Sequence, residues 1–171
     1  MSSQEEIGIE FNTNYSHSKN WRIGGNINFY QSEIIGNYNG IIYDSKNLIW
    51  TGRLNNYLKL FSSIDWQTRL SYRGPQKNAI STRKASGSAN TAFSKDIFGD
   101  KMTLTFKIND IFETQKWRLE TFSETYKNYT ESSWRGGRNF NISLIYRFNQ
   151  KKTQTNNRPS YEDYGGEGFG G

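Results

Sequence analysis

Ile64-Asp65-Trp66-Gln67-Thr68-Arg69-Leu70-Ser71-Tyr72-Arg73 decides the fold. Ile64, Trp66, Leu70 and Tyr72 stand at even positions with Thr68 among them, while Asp65, Gln67, Arg69, Ser71 and Arg73 fill the odd ones. Side chains alternate across a strand with a period of two, whereas a helix repeats every 3.6 residues, so this segment is a strand with one apolar and one polar face. The same period holds on either side. Trp21, Ile23, Gly25, Ile27 and Phe29 alternate with Arg22, Gly24, Asn26 and Asn28, and Met102, Leu104, Phe106 and Ile108 with Thr103, Thr105, Lys107 and Asn109. Phe140, Ile142, Leu144, Tyr146 and Phe148 alternate with Asn141, Ser143 and Arg147, with Ile145 as the misfit on the polar side. Looser alternation at 7–15, 48–60 (even positions), 89–93 and 117–125 brings the expectation to about eight strands. Between them lie the turn formers of antiparallel hairpins, at 36–40, Gly74-Pro75, Gly99-Asp100 and Arg135-Gly136-Gly137.

Composition narrows the class. The chain has 171 residues, 33% hydrophobic and 16% aromatic, with net charge +6 and no cysteine. That is short of the roughly 45–50% apolar share of ordinary globular domains, yet too aromatic for a disordered polymer. Runs of consecutive apolar residues stop at triplets such as Ile41-Ile42-Tyr43, against the roughly 20 residues a spanning helix needs. Disulfides and thiolate metal sites are excluded, and the single histidine, His17, stands between Ser16 and Ser18 in an expected turn, where a solvated side chain is the ordinary state. With no phosphate loop and no acid pair at a telling spacing, the expectation is a protein that is not an enzyme and carries no cofactor and no metal. The first ten residues carry acids where a secretory signal would carry lysine or arginine.

Alternation alone fits a soluble sandwich, with the polar face in water, and an outer-membrane barrel, with the apolar face in lipid and the polar face lining a lumen. Two features favour the barrel. Several strands run to about 10 residues, the length a tilted membrane strand requires, against a usual 5–6 in soluble proteins. Trp21, Tyr30, Trp50, Trp66, Tyr72, Trp117, Tyr146 and Phe148 lie near strand ends, where amphipathic rings settle at a membrane interface. The expected fold is therefore all-β, an antiparallel up-and-down transmembrane β-barrel segment of about eight strands over residues 1–148, followed by a flexible polar, Gly-rich tail over 149–171. Lipid-facing positions are expected at Ile23, Ile27, Leu70, Leu104, Phe106, Ile142 and Leu144, and lumen-facing ones at Arg69, Arg73, Lys107, Asn109, Ser143 and Arg147.

Ordered landmarks carry a resemblance. Tyr72-Arg73-Gly74-Pro75 follows a long strand, Phe93-Ser94-Lys95-Asp96-Ile97-Phe98 precedes a hairpin, and Asn109-Asp110-Ile111-Phe112 closes the next strand. Arg138 is then followed by Asn141-Ile142-Ser143-Leu144-Ile145-Tyr146-Arg147-Phe148. From about Leu48 onward the chain resembles the C-terminal portion of TonB-dependent receptors of the Bacteroidetes outer-membrane β-barrel type. The resemblance implies the outer membrane of a Gram-negative bacterium, contact with outer-membrane lipid, and a terminal-strand signal, Tyr146 and Phe148, read by the barrel assembly machinery. It also implies uptake of a bulky or scarce ligand, unidentified, driven by the TonB complex through a plug. Neither plug, coupling box nor signal peptide is found in this sequence, so the likeness is to the last third of a receptor, a fragment.

On this reading the final strand ends in the periplasm, and 126–137 is an external loop in which Tyr126, Tyr129, Trp134, Arg135 and Arg138 are the candidate ligand contacts; the alternative is loop packing. A second hypothesis is a self-contained eight-stranded barrel with a structural or adhesion role, whose first strand, 7–15, must pair with its last. A third is a soluble basic β-domain binding nucleic acid, prompted by the charge and by Trp66 and Tyr72 beside Arg69 and Arg73. Basic residues spread over the whole chain, and facing acids such as Asp65 and Glu120, argue against it; no nucleic acid is expected.

Overall fold

The period-two segments pair in chain order, in a computed structural model that describes residues 2–38, 41–42, 45–61, 63–78, 80–122, 126–133 and 136–148. Among these residues the strands are β1 (Ser2–Ser18), β2 (Trp21–Tyr38), β3 (Ile41–Ile42), β4 (Ser45–Leu60), β5 (Ile64–Arg73), β6 (Gln76–Lys77), β7 (Ser81–Arg83), β8 (Ser86–Ile97), β9 (Met102–Asn109), β10 (Lys116–Phe122), β11 (Lys127–Ser133) and β12 (Asn139–Tyr146). The main sheet runs β1-β2-β4-β5-β8-β9-β12, antiparallel throughout, with β3 attached to β2. It is an up-and-down meander with two excursions, β6–β7 and β10–β11, which pair with each other as a second sheet, β11-β10-β7-β6.

Each of the eight expected strands exists, but the one expected at 117–125, of which 117–122 lie in β10, belongs elsewhere than expected. β10 pairs with β11 and β7, because β9 gives its free edge to β12 over eight residues, from Asn109 opposite Asn139 to Met102 opposite Tyr146. Alternation marks a two-faced strand; it does not say which sheet holds it. The expected loop at 126–137 is likewise corrected, since Lys127–Ser133 is β11, exposed along its whole length and paired residue for residue with β10.

Register carries the two faces across the wall. Phe11, Ile27, Gly52 and Tyr72 share one row, and Asn12, Asn26, Arg53 and Ser71 the next. A slip of one residue in any strand would exchange the faces. The apolar face is uncovered: Ile142 is 73% exposed, Leu144 58%, Ile27 46% and Leu70 41%, and the fully buried hydrophobic residues among those described are Ile49 and Ala89. A sheet folded for water would cover this face with a second layer.

Aromatic side chains bracket the bare band. Toward one end Trp21 donates its indole N–H to Asn56 Oδ1 and Trp66 to Thr91 Oγ1, both at 2.9 Å. Toward the other, Phe29, Trp50 and Tyr72 stack, the last pair with centroids 4.4 Å apart. Gly74 lies under this stack, where a Cβ would stand 2.7 Å from Trp50 Nε1, which accounts for glycine in the Tyr72–Pro75 landmark. Trp21 to Phe29 is about 27 Å along the strand, or about 20 Å of height at a tilt near 40°, close to the apolar band of an outer-membrane barrel. Tyr30 shares the polar face with Asn28, and Trp117 lies in the second sheet, so neither belongs to the aromatic belts.

The two ends of the wall differ. The short connections from β1 to β2, β4 to β5 and β8 to β9 lie at one end, whereas the connections at the other are longer and carry the second sheet. β1, β2 and β4 have 17, 18 and 16 residues, well beyond the 9–11 or so that cross a bilayer, so they rise past the apolar band on the side of the long connections. Among the described residues β1 pairs only with β2 and β12 only with β9, so the wall has two open edges, and the pairing of first with last strand demanded by a closed eight-stranded barrel is not made. The expected tail at 149–171 lies outside the described residues.

Candidate functional site

The polar face curves around a space of about 1780 Å³, bounded by wall residues such as Asn26, Arg53, Arg69 and Ser71 and by Arg83, Trp117 and Arg118 of the second sheet. Specific bonds set the second sheet over the wall. Buried Asn47 on β4 accepts the Lys77 N–H at 3.0 Å, and the Arg118 guanidinium donates from Nη2 to the Ala85 carbonyl at 2.7 Å. The Lys84 N–H reaches the Arg118 carbonyl at 2.9 Å, extending the β7–β10 ladder. Ile49, one position from the outward-pointing Trp50, is therefore 2% exposed although it lies on the polar side of β4.

The residues expected to face the lumen are placed as follows. Arg69, Arg73 and Lys107 border the space, with Arg69 Nε donating to Asn55 Oδ1 at 3.0 Å. Asn109 donates to Asn139 Oδ1 at 2.6 Å, and Ser143 lies opposite Thr105, whose hydroxyl is 3.0 Å from that of Ser94. Arg147 binds the hairpin at 98–101, donating to the Asp100 carbonyl at 3.1 Å and Thr103 Oγ1 at 2.8 Å. Of the terminal aromatics, Tyr146 ends β12 opposite Met102 and Phe148 lies just beyond it; both are exposed.

The candidate ligand contacts lie elsewhere than the space. Tyr126 is exposed, and Tyr129, exposed on β11, donates its hydroxyl to Glu131 at 2.8 Å. Arg138 donates to the Ile111 carbonyl at 2.8 Å and pairs with Glu113 at 3.5 Å, which fastens the 110–113 turn to the start of β12. Trp134 and Arg135 lie outside the described residues. The space is bordered instead by Arg83, Lys84, Lys116, Trp117 and Arg118, which sequence reasoning missed. The available signal was two cationic clusters, Arg83-Lys84 and Lys116-Trp117-Arg118, but their meeting depends on the pairing of β7 with β10.

Asp110 explains the Asn109–Phe112 landmark. It is 2% exposed and adopts φ 49°, and its carboxylate accepts the N–H groups of Thr114 and Gln115 at 3.0 and 3.1 Å. Its own N–H goes to Asn90 Oδ1 on β8 at 2.9 Å, and the Ile111 N–H to the Ala89 carbonyl at 2.8 Å. One short side chain thus turns the chain out of β9 toward the second sheet while satisfying buried donors.

Charge around the space is lopsided. Nine lysines and arginines border it against one carboxylate, Glu10. Two of the nine are balanced from the second sheet: Lys84 by Glu120 at 2.9 Å and Lys116 by Glu131 at 3.1 Å. The hydrogen bond from Lys84 holds the Glu120 carboxyl below its ordinary range, and those from Tyr129 and Lys116 do the same for Glu131. Arg83 is shifted the other way for a cation, downward, by burial and then by the neighbouring Arg73 guanidinium.

No curated protein and no solved structure matches the chain. A family model described as the outer membrane protein beta-barrel family matches residues 1–146, the whole wall together with the second sheet. That match accounts for a bare apolar band between aromatic belts, and it sets aside a soluble domain. With the meander, the belts and the match in agreement, the chain is an antiparallel outer-membrane barrel protein of a Gram-negative bacterium and belongs to the outer membrane protein beta-barrel family.

Proposed function

We propose that the chain forms wall and outer mouth of a TonB-dependent receptor of the Bacteroidetes type, which takes up a bulky or scarce ligand. The observation that carries this reading is the polar space of about 1780 Å³ roofed by a second sheet, on a wall with two open edges. Unpaired strand edges are not tolerated in hydrocarbon, so β1 and β12 call for further strands in a wider barrel. A wider barrel holds a lumen, which in a receptor of this type a plug gates, and the outer membrane has no nucleotide supply of its own to drive transport. The role of this chain is binding and passage, with no catalytic step. In outer-membrane barrels short turns face the periplasm and long connections the exterior, which sets the β1–β2, β4–β5 and β8–β9 connections inside and the second sheet at the cell surface. Tyr146 then ends β12 on the periplasmic side, where the assembly machinery works.

The test is uptake in the native host. Solutes withdrawn from a defined medium are compared by mass spectrometry for the parent, a strain deleted for this gene, and the parent with its proton gradient collapsed. The reading predicts that the same solute stays in the medium in both treatments. Identical uptake profiles in all three would refute it.

A further inference from the structure

We propose that the mouth of the lumen binds an oxyanion, a carboxylate or phosphate group of the ligand, between Arg73 and Arg83 beside Trp117. This rests on the lumen reading above and adds the chemistry of what the lumen accepts.

Arg73 is the last residue of β5, and Arg83 the last of β7, which the second sheet folds back over the wall. Both border the large space, and burial, together with an Arg73 guanidinium close enough to repel it, weakens the hold of Arg83 on its proton. Among the described residues neither makes an ion pair within 4 Å, whereas Lys46, Lys59, Lys84, Lys116 and Arg138 all do. What Arg83 has is the face of Trp117, with its guanidinium carbon 4.3 Å from the ring centroid. That contact fixes the plane of the guanidinium but leaves its charge uncompensated.

Half-buried charges in proteins are ordinarily paired, and two adjacent unpaired arginines are a standing repulsion that an anion would relieve. The planar fork of arginine matches carboxylate and phosphate oxygens bidentately, so one on the wall and one on the second sheet define a site for an oxyanion rather than for a halide or a neutral sugar. Arg118 borders the same space, fixed by its bond to Ala85, with a buried Nε that has no partner among the described residues. The wider lining, nine cations to one acid, draws anions inward from the mouth.

The probe is inorganic pyrophosphate, with maltotriose as the neutral comparison, measured by equilibrium dialysis against the protein extracted from the outer membrane in mild detergent. Pyrophosphate should bind and maltotriose should not, and affinity should fall as salt rises from about 50 to 200 mM. The double variant Arg73→Gln/Arg83→Gln should weaken binding by at least about tenfold, and Lys101→Gln, at the opposite end of the wall, should leave it unchanged. Retention of wild-type affinity in the double variant, or equal retention of the two probes by the unaltered protein, would overturn the proposal. If the double variant fails to fold, the salt dependence and probe preference of the unaltered protein still decide. Displacement of pyrophosphate by vesicles carrying lipopolysaccharide would identify the oxyanion as a phosphate of the outer leaflet, and its absence would identify a diffusible anion. Pyrophosphate binding with no energised uptake would refute the receptor reading alone; uptake without pyrophosphate binding would refute this inference alone.

Discussion

Replacing Leu70 by arginine measures how deep the wall lies in lipid. Leu70 is four residues beyond Trp66, about 13 Å along the strand and about 10 Å in height at a tilt near 40°, which is close to the middle of an apolar band about 25 Å tall. It is 41% exposed and directly opposite Leu54 on β4. Arginine at the midplane of a barrel's outer face costs about 2–4 kcal/mol, a loss of about 30- to 700-fold in the folded-to-unfolded ratio. The comparison is Gln67→Arg, three residues away on the polar side, where the side chain enters the water-filled space and the change should stay within about 0.5 kcal/mol. Both are read as shifts in the urea midpoint of protein folded into phosphatidylcholine vesicles, followed by tryptophan fluorescence. Equal midpoints for the two variants would refute the assignment of faces.

Other parts of the structure make separate predictions. Asp110→Ala leaves the Thr114 and Gln115 N–H groups without their acceptor and should cost about 1–3 kcal/mol locally, seen as faster amide exchange at 110–116 with β5 and β8 unchanged. Gly52→Ala adds a methyl where no atom lies within 4 Å and should stabilise by about 0.5–1 kcal/mol, whereas Gly25→Ala brings Cβ to 2.9 Å from the Arg53 carbonyl and should destabilise by about 1–3 kcal/mol; denaturant midpoints rank them. Acid should loosen the second sheet before the wall. Glu120 and Glu131 have folded pKa values below their unfolded ones, so their contribution is complete above the ordinary carboxylate range of about 4.3 and is lost as pH falls through the depressed values. Pepsin digestion stepped downward from pH 5 should cut the β10–β11 excursion first, and simultaneous cleavage of the wall would contradict this.

The wall could be read from the sequence because each membrane strand must present apolar side chains to lipid at every second position. Trp66, Leu70 and Tyr72 on β5, and Met102, Leu104 and Phe106 on β9, record that demand directly. Above the bilayer the demand ends, and so does the signal: Ser3 to Glu6 of β1 are polar on both faces and remain in the ladder beside β2. The second sheet was hidden for the same reason. β6 and β7 are two and three residues long, and β11, Lys-Asn-Tyr-Thr-Glu-Ser-Ser, is held by its ladder and the Lys116–Glu131 pair rather than by an apolar face. The wall cations that border the polar space, Arg69, Arg73 and Lys107, stand at positions alternation marks as polar, whereas Arg83 and Trp117 meet through a pairing of segments more than thirty residues apart, which no local pattern announces. The Asn109–Phe112 landmark was visible as a motif, but its work, a buried carboxylate closing a turn, required the positions of Thr114 and Gln115.

The central claim is that alternate residues of one strand meet lipid and water. The sequence contains no cysteine, so single cysteines placed in turn at 66–73 report without background. In outer-membrane vesicles, 67, 69, 71 and 73 should react with a water-soluble maleimide, while 66, 68, 70 and 72 should react only with a bilayer-soluble one. The opposite alternation, or uniform labelling along β5, would contradict the account.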